Sequence, residues 1–324
     1  MNRDANIKSG VIGENSIDVR QQGVWDFVSR SPIRSLWNLQ GVPVSSVATL
    51  TWKSIQEDRL FGRAAELGFY FLFALFPTLF SASSLLGLAA HSANEFYDKL
   101  LNYLALVIPT DALGTVLATF NETTAAATPG KLTFGFIAAI WSASVGISAI
   151  QDALNTVYKI KETRSYLKAR FSAIGLTVTL TIIVTLVLSA MLGGDFVAAL
   201  AMRRLTNPTA IAVAALIARL IGWTLATALI ALAFAVIYYW APDLETRRWR
   251  WLTPGGAFGI FGWLFASLGL RVYLNYFNSY SVTYGSLGAV IILLTWFYIT
   301  GLMLLIGAEI NSEIEAAAAQ QRLE

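Results

Sequence analysis

Phe171–Leu192 reads FSAIGLTVTLTIIVTLVLSAML, a run without a single ionisable side chain, stopped by Gly193, Gly194 and Asp195. A helix needs about 20 apolar residues to cross the hydrocarbon of a bilayer, so this run predicts a membrane-spanning helix. Five more segments qualify on either side of it. Leu67–Ala90 is uncharged and contains Pro77. Leu132–Ile150 continues as helix to about Tyr158. A fourth span runs from about Thr209 to Trp240 and contains Arg219, although Leu220–Trp240 alone is long enough. Leu252–Leu270 carries Arg271 at its end, and Leu287–Ala308 is closed by Glu309. The expected fold class is all-α: a polytopic membrane protein of six transmembrane helices with short amphipathic interfacial helices.

Composition agrees. Of the 324 residues, 56% are apolar and only 13% charged, and the mean hydropathy is +0.59. A soluble domain carries about 25% charge. The net charge of +3 and a pI near 9.1 fit Lys and Arg gathered in cytoplasmic loops, and no nucleic-acid partner is expected. The absence of cysteine excludes disulfides, thiolate metal sites and Cys nucleophiles. His91 is the sole histidine, and no GxxxxGK[ST] loop occurs. No cofactor and no catalytic residue are therefore expected. Residues 1–45 are polar and mixed in charge, without the compact apolar core of a secretory signal.

Loop charges set the orientation. One set of segments holds Arg3, Lys8, Arg20, Arg30, Arg34, Lys53, Arg59 and Arg63, then Lys159, Lys161, Arg164, Lys168 and Arg170, then Arg247, Arg248 and Arg250. The opposite set holds Lys99, Lys131, Arg203, Arg204 and Arg271. Sixteen against five puts the first set in the cytoplasm, and both termini with it. The expected location is the bacterial cytoplasmic membrane.

Between the first two spans, Phe96, Leu100, Tyr103, Leu104, Val107 and Ile108 recur at helical spacing, opened by the capping-box pattern Ser92–Glu95 and broken by Pro109. Leu113, Val116, Leu117 and Phe120 mark a second short set. Two amphipathic helices on the outer face are expected across residues 92–120. Val47, Leu50, Trp52, Ile55 and Leu60 predict a short interfacial helix on the inner side. The expected organisation is a loosely ordered N-terminal extension over 1–45, a transmembrane domain over 46–312 and a cytoplasmic tail over 313–324.

Small residues at four-residue spacing let helices approach closely in lipid. The fourth span has Ala214, Ala218, Gly222 and Ala226; the fifth has Gly255 and Gly259, with Gly262 and Ala266 beside them. Pro77 removes a hydrogen bond in the first span and predicts a kink.

Ionisable groups inside spans cost roughly 2.5–3.5 kcal/mol each at the centre, so they turn toward protein or water. Arg63, Glu66 and Tyr70 share one face at the entry of the first span. Ser144, Ser148, Asp152 and Asn155 form a polar stripe on the second, and Glu309 and Asn311 close the sixth at the same depth. Either they line a vestibule open to the cytoplasm, or they tie the helices together through pairs such as Arg63 with Asp152 or Glu309. Arg219 and Arg271 lie toward the outer half. There they can meet an anionic group such as a lipid phosphate, stack on Trp223 in the case of Arg219, or snorkel.

Specific motifs accompany these features. They are Arg63-Ala64-Ala65 with Phe69-Tyr70-Phe71 running into Phe76-Pro77, and Trp141-Ser142-Ala143-Ser144 followed by Ala153-Leu154-Asn155-Thr156-Val157-Tyr158 and Glu162-Thr163-Arg164. Pro254-Gly255-Gly256, Tyr284-Gly285-Ser286-Leu287-Gly288 and Gly307-Ala308-Glu309-Ile310-Asn311 complete the set. In this order and spacing the chain resembles the YihY/BrkB family of bacterial inner-membrane proteins across about residues 50–315. The resemblance implies a six-helix membrane protein. The family carries a historic "ribonuclease BN" label, for which these residues offer neither a metal cluster nor a nuclease base. Members have been associated with serum resistance, and some relatives with export of lipid A or other envelope lipids.

The leading expectation is a transporter or flippase-like protein for an amphipathic, anionic envelope lipid, with membrane lipids as partners. Its inner vestibule would use Arg63, Glu66, Asp152, Asn155 and Glu309. A second reading is a non-transporting membrane scaffold that anchors an envelope lipid-transfer or assembly partner, a periplasmic or membrane protein, with the amphipathic segment 92–120 as its best support. A third, an intramembrane enzyme, would have only Asp152 and Glu309 as an acid–base pair.

Overall fold

A computed structural model describes residues 36–37, 43–88, 129–204, 207–246, 248–276 and 286–323. The expected outer helices over 92–120 lie outside the described residues. So do most of the N-terminal extension and the Tyr284-Gly285 part of the family pattern.

Seven helices account for most of the described residues. They are α1 (Val44–Glu57), α2 (Leu60–Leu88), α3 (Pro129–Val157), α4 (Tyr166–Arg204), α5 (Pro208–Trp240), α6 (Pro254–Tyr276) and α7 (Ser286–Leu323). Local chemistry sets their ends. Asn207 caps α5, accepting from the Thr209 N–H at 3.0 Å, and Pro208 occupies the first helical position. Thr253 opens α6, its Oγ1 accepting from the Gly256 N–H at 2.9 Å. Lys159 closes α3 in the left-handed region (φ 54°), and Ile160 N–H reaches back to the Asn155 carbonyl at 2.9 Å. That is a Schellman closure with lysine in place of the usual glycine.

The helices form a ring. α2 packs on α3, α3 on α4, α4 on α5, α6 on α7, and α7 returns to α2. α5 and α6 touch only lightly, while α7 also meets α1 and α3. The core at one end holds Leu67, Ile150, Leu154, Leu176, Tyr238 and Leu305. The outward faces carry exposed Ile182, Leu186, Leu216, Leu220, Phe261 and Phe265, an apolar coat far larger than a water-soluble surface presents. Among the described residues, five helices are long and apolar enough to cross a membrane, within α3 to α7. Six were expected. α2, the remaining candidate, is an unbroken 29-residue helix that passes through Pro77.

Two boundaries differ from expectation. α4 does not stop at Leu192 but runs through Gly193, Gly194 and Asp195 to Arg204. The reason is packing: a Cβ on Gly194 would lie 2.9 Å from the Ala218 carbonyl oxygen, and one on Gly222 would lie 2.7 Å from that of Ala190. Close α4–α5 contact thus offsets the roughly 1 kcal/mol that a helical glycine costs. Ala218 of the predicted small-residue stripe lies in this contact, and Ala226 of the same stripe is buried as well. The last helix likewise continues past residue 312, and Glu313–Ala319 are buried rather than trailing off. Ile314 and Ala318 pack there with Val47 of α1 and with Leu36, which is 1% exposed.

Candidate functional site

The polar residues gather at the end of the ring that carries α1 and the end of α7. Asn155, 5% exposed, sits at its centre. Its Nδ2 donates to Glu162 at 2.9 Å, and its Oδ1 accepts the Asp243 backbone N–H at 2.8 Å. Glu162 accepts both Nε and Nη2 of Arg164 at 2.6 Å, a bidentate geometry that adds direction as well as energy. Arg164 also donates to the Ala241 carbonyl at 3.2 Å and lies 3.4 Å from Asp243. Asp243 Oδ2 in turn accepts from the Thr163 N–H at 2.8 Å and its hydroxyl at 2.6 Å. The α3–α4 and α5–α6 connections are clasped together by this set. The Arg164 hydrogen bonds hold the Glu162 carboxyl below its ordinary range, and Glu162 raises Arg164 in return.

A second junction joins the end of α1 to the end of α3 and to α7. Lys159 pairs with Asp58, and Ser54 donates to Glu313 at 2.6 Å. Burial pushes the Asp58 carboxyl up, against the pull of the Lys159 ammonium.

The sequence-derived candidates fall into separate groups. Arg63, Glu66, Glu162 and Arg164 all lie within electrostatic reach of Asp152, and Asp152 and Glu66 are exposed. Asn155 belongs to the clasp. Tyr70 packs against the core. Ser148 accepts from Arg170 at 3.4 Å, across the α3–α4 contact, and Arg170 lies 4.2 Å over the Trp141 ring. Asn311 accepts from the Gly255 N–H at 3.0 Å and donates to Thr253 at 2.9 Å, holding the start of α6. Glu309 is wholly buried. Arg219 is exposed on α5, and Arg271 is half-buried near the far end of α6.

One feature had not been anticipated. Where α5 and α6 barely meet, a cavity of about 30 Å³ is lined by Tyr158, Tyr238, Tyr239, Arg248, Arg250, Trp251 and Glu315, with Asn311 at its edge. Arg250 pairs with Glu315 inside it. Burial pushes the Tyr158 phenol far up, so it stays neutral. Trp249 stands edge-on to both Tyr239 and Trp251, at 5.4 and 5.5 Å between centroids. Trp37 donates to the Leu252 carbonyl at 2.8 Å beside it. In the sequence, the alternation of basic and aromatic residues over 247–251 is the signal for this cavity, beyond the loop charge it contributes. Among the described residues, no group of three acidic or histidine side chains is arranged to hold a metal ion.

The sequence profile of the family described as virulence factor BrkB matches residues 51–324, covering α2 to α7 in full. This chain belongs to the BrkB family. A Bacillus subtilis protein named as ribonuclease-like, YfkH, is 33% identical over 258 residues, which are 77% of this chain and 88% of the relative. A UPF0761 membrane protein of Xanthomonas oryzae is 28% identical over 272 residues, 84% of this chain. A Xanthomonas campestris UPF0761 membrane protein is 27% identical over 273. The chain spans only 61% of each Xanthomonas relative's length. No solved structure matches. The BrkB chain is thus an integral membrane protein, and the word ribonuclease attaches to the Bacillus relative's name.

Proposed function

We propose that this BrkB chain is a transporter or flippase-like protein of the bacterial inner membrane for an amphipathic, anionic envelope lipid. In this reading α2 is the sixth span and both termini are cytoplasmic. The observation that carries it is the α5–α6 seam. Every other joint of the ring is packed, whereas this one is thin and has an aromatic, arginine-bearing hollow at its charged end. Arginine forks suit phosphate and carboxylate, and aromatic rings suit the boundary between headgroup and acyl chain. At about 30 Å³ the hollow admits water rather than a headgroup. Passage therefore requires α5 and α6 to part.

The test is movement of a headgroup-labelled anionic lipid in vesicles holding the purified protein, read by protection from an impermeant reductant. The wild type is expected to accelerate exchange over empty vesicles. Arg248→Gln with Trp251→Ala, both at exposed positions, is expected to reduce it several-fold without loss of fold. No acceleration by the wild type sinks the reading.

A further inference from the structure

α7 buries three carboxylates at the charged end of the ring, and two of them have partners. Glu313 accepts from Ser54, and Glu315 pairs with Arg250. Glu309 is different. It is 0% exposed, and among the described residues no donor reaches either of its oxygens. It follows Gly301 and Leu305 at four-residue steps, on the α7 face where a Cβ added to Gly301 would meet Leu67 and the Ala64 carbonyl of α2. Ser312, one turn on, donates to the Val157 carbonyl at the end of α3 at 2.8 Å.

The charged groups acting on Glu309 are Asp58 and Glu57 at the α1–α2 turn, Lys159 at the α3–α4 turn and Glu313 on its own helix. Tyr158 feels it as well, and Arg63 of α2 acts on Asp58. Lys159 is engaged by Asp58, whose side chain is 9% exposed, while Lys159 itself is 26% exposed. Among the groups acting on Glu309, the Lys159–Asp58 pair is joined to the surface through the partly exposed Lys159.

An ionised carboxylate without donors in such a place is too costly to persist, and a carboxyl there neutralises itself by taking a proton. A metal cation fits poorly. It would ask for several oxygen ligands, and here Asp58, the acid that acts on Glu309 most strongly, already holds a lysine ammonium that repels a cation. We propose that Glu309 is a proton-binding site, loaded from the charged end of the ring when the Lys159–Asp58 pair opens. The step is simple: an O–H bond forms on Glu309 as hydronium gives up its proton to become water, and the reverse releases it. This site goes beyond the lipid reading and does not depend on it.

Infrared difference spectroscopy on the full chain in lipid nanodiscs tests it. The wild type is expected to show the carbonyl stretch of a protonated carboxylic acid that shifts in heavy water. Glu309→Gln, nearly isosteric and neutral, is expected to keep the helical circular dichroism and lose that band. Lys159→Gln is expected to speed its exchange several-fold. A band unchanged by Glu309→Gln overturns the proposal. So does sodium ion bound by the wild type and lost in Glu309→Gln. If the amide variant does not fold, Glu309→Asp must shift the band; an unshifted band overturns the assignment.

Discussion

Gly255 of α6 rests directly on Gly307 of α7, so close that a Cβ on Gly255 would run into the Gly307 carbonyl oxygen. Asn311 Oδ1 would lie 2.7 Å from the same added carbon. The Gly307 carbonyl is backbone and cannot swing aside as a side chain could. Gly255→Ala is expected to lower stability by about 1–3 kcal/mol or more, the usual cost of overpacking. Gly62, on α2, has nothing within 4 Å of an added Cβ. Gly62→Ala is expected to stabilise by up to about 1 kcal/mol through helix propensity. Unfolding in mixed detergent measures both, and equal effects at the two positions would contradict the packing described.

Asn155 ties three chain segments with one side chain. Truncating it leaves the Asp243 N–H without this acceptor and Glu162 without one of its donors. Asn155→Ala is expected to cost about 1–3 kcal/mol, the range for an abandoned buried hydrogen-bonding group. Thr163→Val, which removes one hydroxyl from an exposed position, is expected to cost less than half as much. The same unfolding assay ranks them.

The Glu162–Arg164 fork should make stability depend on pH in one direction. Arg164 lowers the folded pKa of Glu162 below its ordinary 4.5. The contribution is therefore fully present above about that value and is lost as pH falls through the folded pKa. Asp58 has the opposite sign. Burial raises its pKa from 3.8, so its contribution is present below that value and lost as pH rises through the folded pKa. Glu162→Gln is expected to flatten the acid side of the unfolding midpoint against pH. Asp58→Asn is expected to leave the acid loss in place. A wild-type profile whose acid side Glu162→Gln does not alter would refute the assignment.

Much of the fold could be read from the chain because lipid imposes so simple a rule. Uncharged runs of bilayer length are hard to place anywhere else, and the helices around Phe171–Leu192, Leu220–Trp240 and Leu287–Ala308 follow from it. Two failures share one cause. Gly193-Gly194 resembles a helix stop in one dimension, and only the α5 backbone lying against Gly194 makes it a contact surface. Glu313 and Glu315 resemble a solvated tail until Ser54 and Arg250, far away in sequence, are brought to meet them. The candidate site was half legible. Equal depth could be inferred for Arg63, Asp152 and Glu309, but depth does not say which way a side chain faces. Asp152 is exposed, Asn155 turns into a loop clasp and Glu309 is sealed. The α5–α6 hollow needs residues from both sides of a connection, so no single periodic stripe announces it.

The seam makes a prediction that a chain without cysteine is well suited to test. A Cβ on Gly259 would lie 2.9 Å from Cε1 of the Phe234 ring. Replacing both with cysteine removes the tightest contact at Gly259, leaving the Met303 carbonyl oxygen at 3.2 Å, and puts one thiol on α5 and one on α6 at adjoining positions. The control pair is Phe71 with Gly146, where the added Cβ would lie 3.5 Å from the Phe71 ring, in the packed α2–α3 joint. If lipid passes where the ring is thin, a short bifunctional thiol reagent on the first pair should abolish lipid movement. The same reagent on the second pair should leave most of it. Reducing the reagent's disulfides should restore the first. Loss with both pairs would mean that the ring must flex as a whole, and loss with neither would place the path outside the α5–α6 seam.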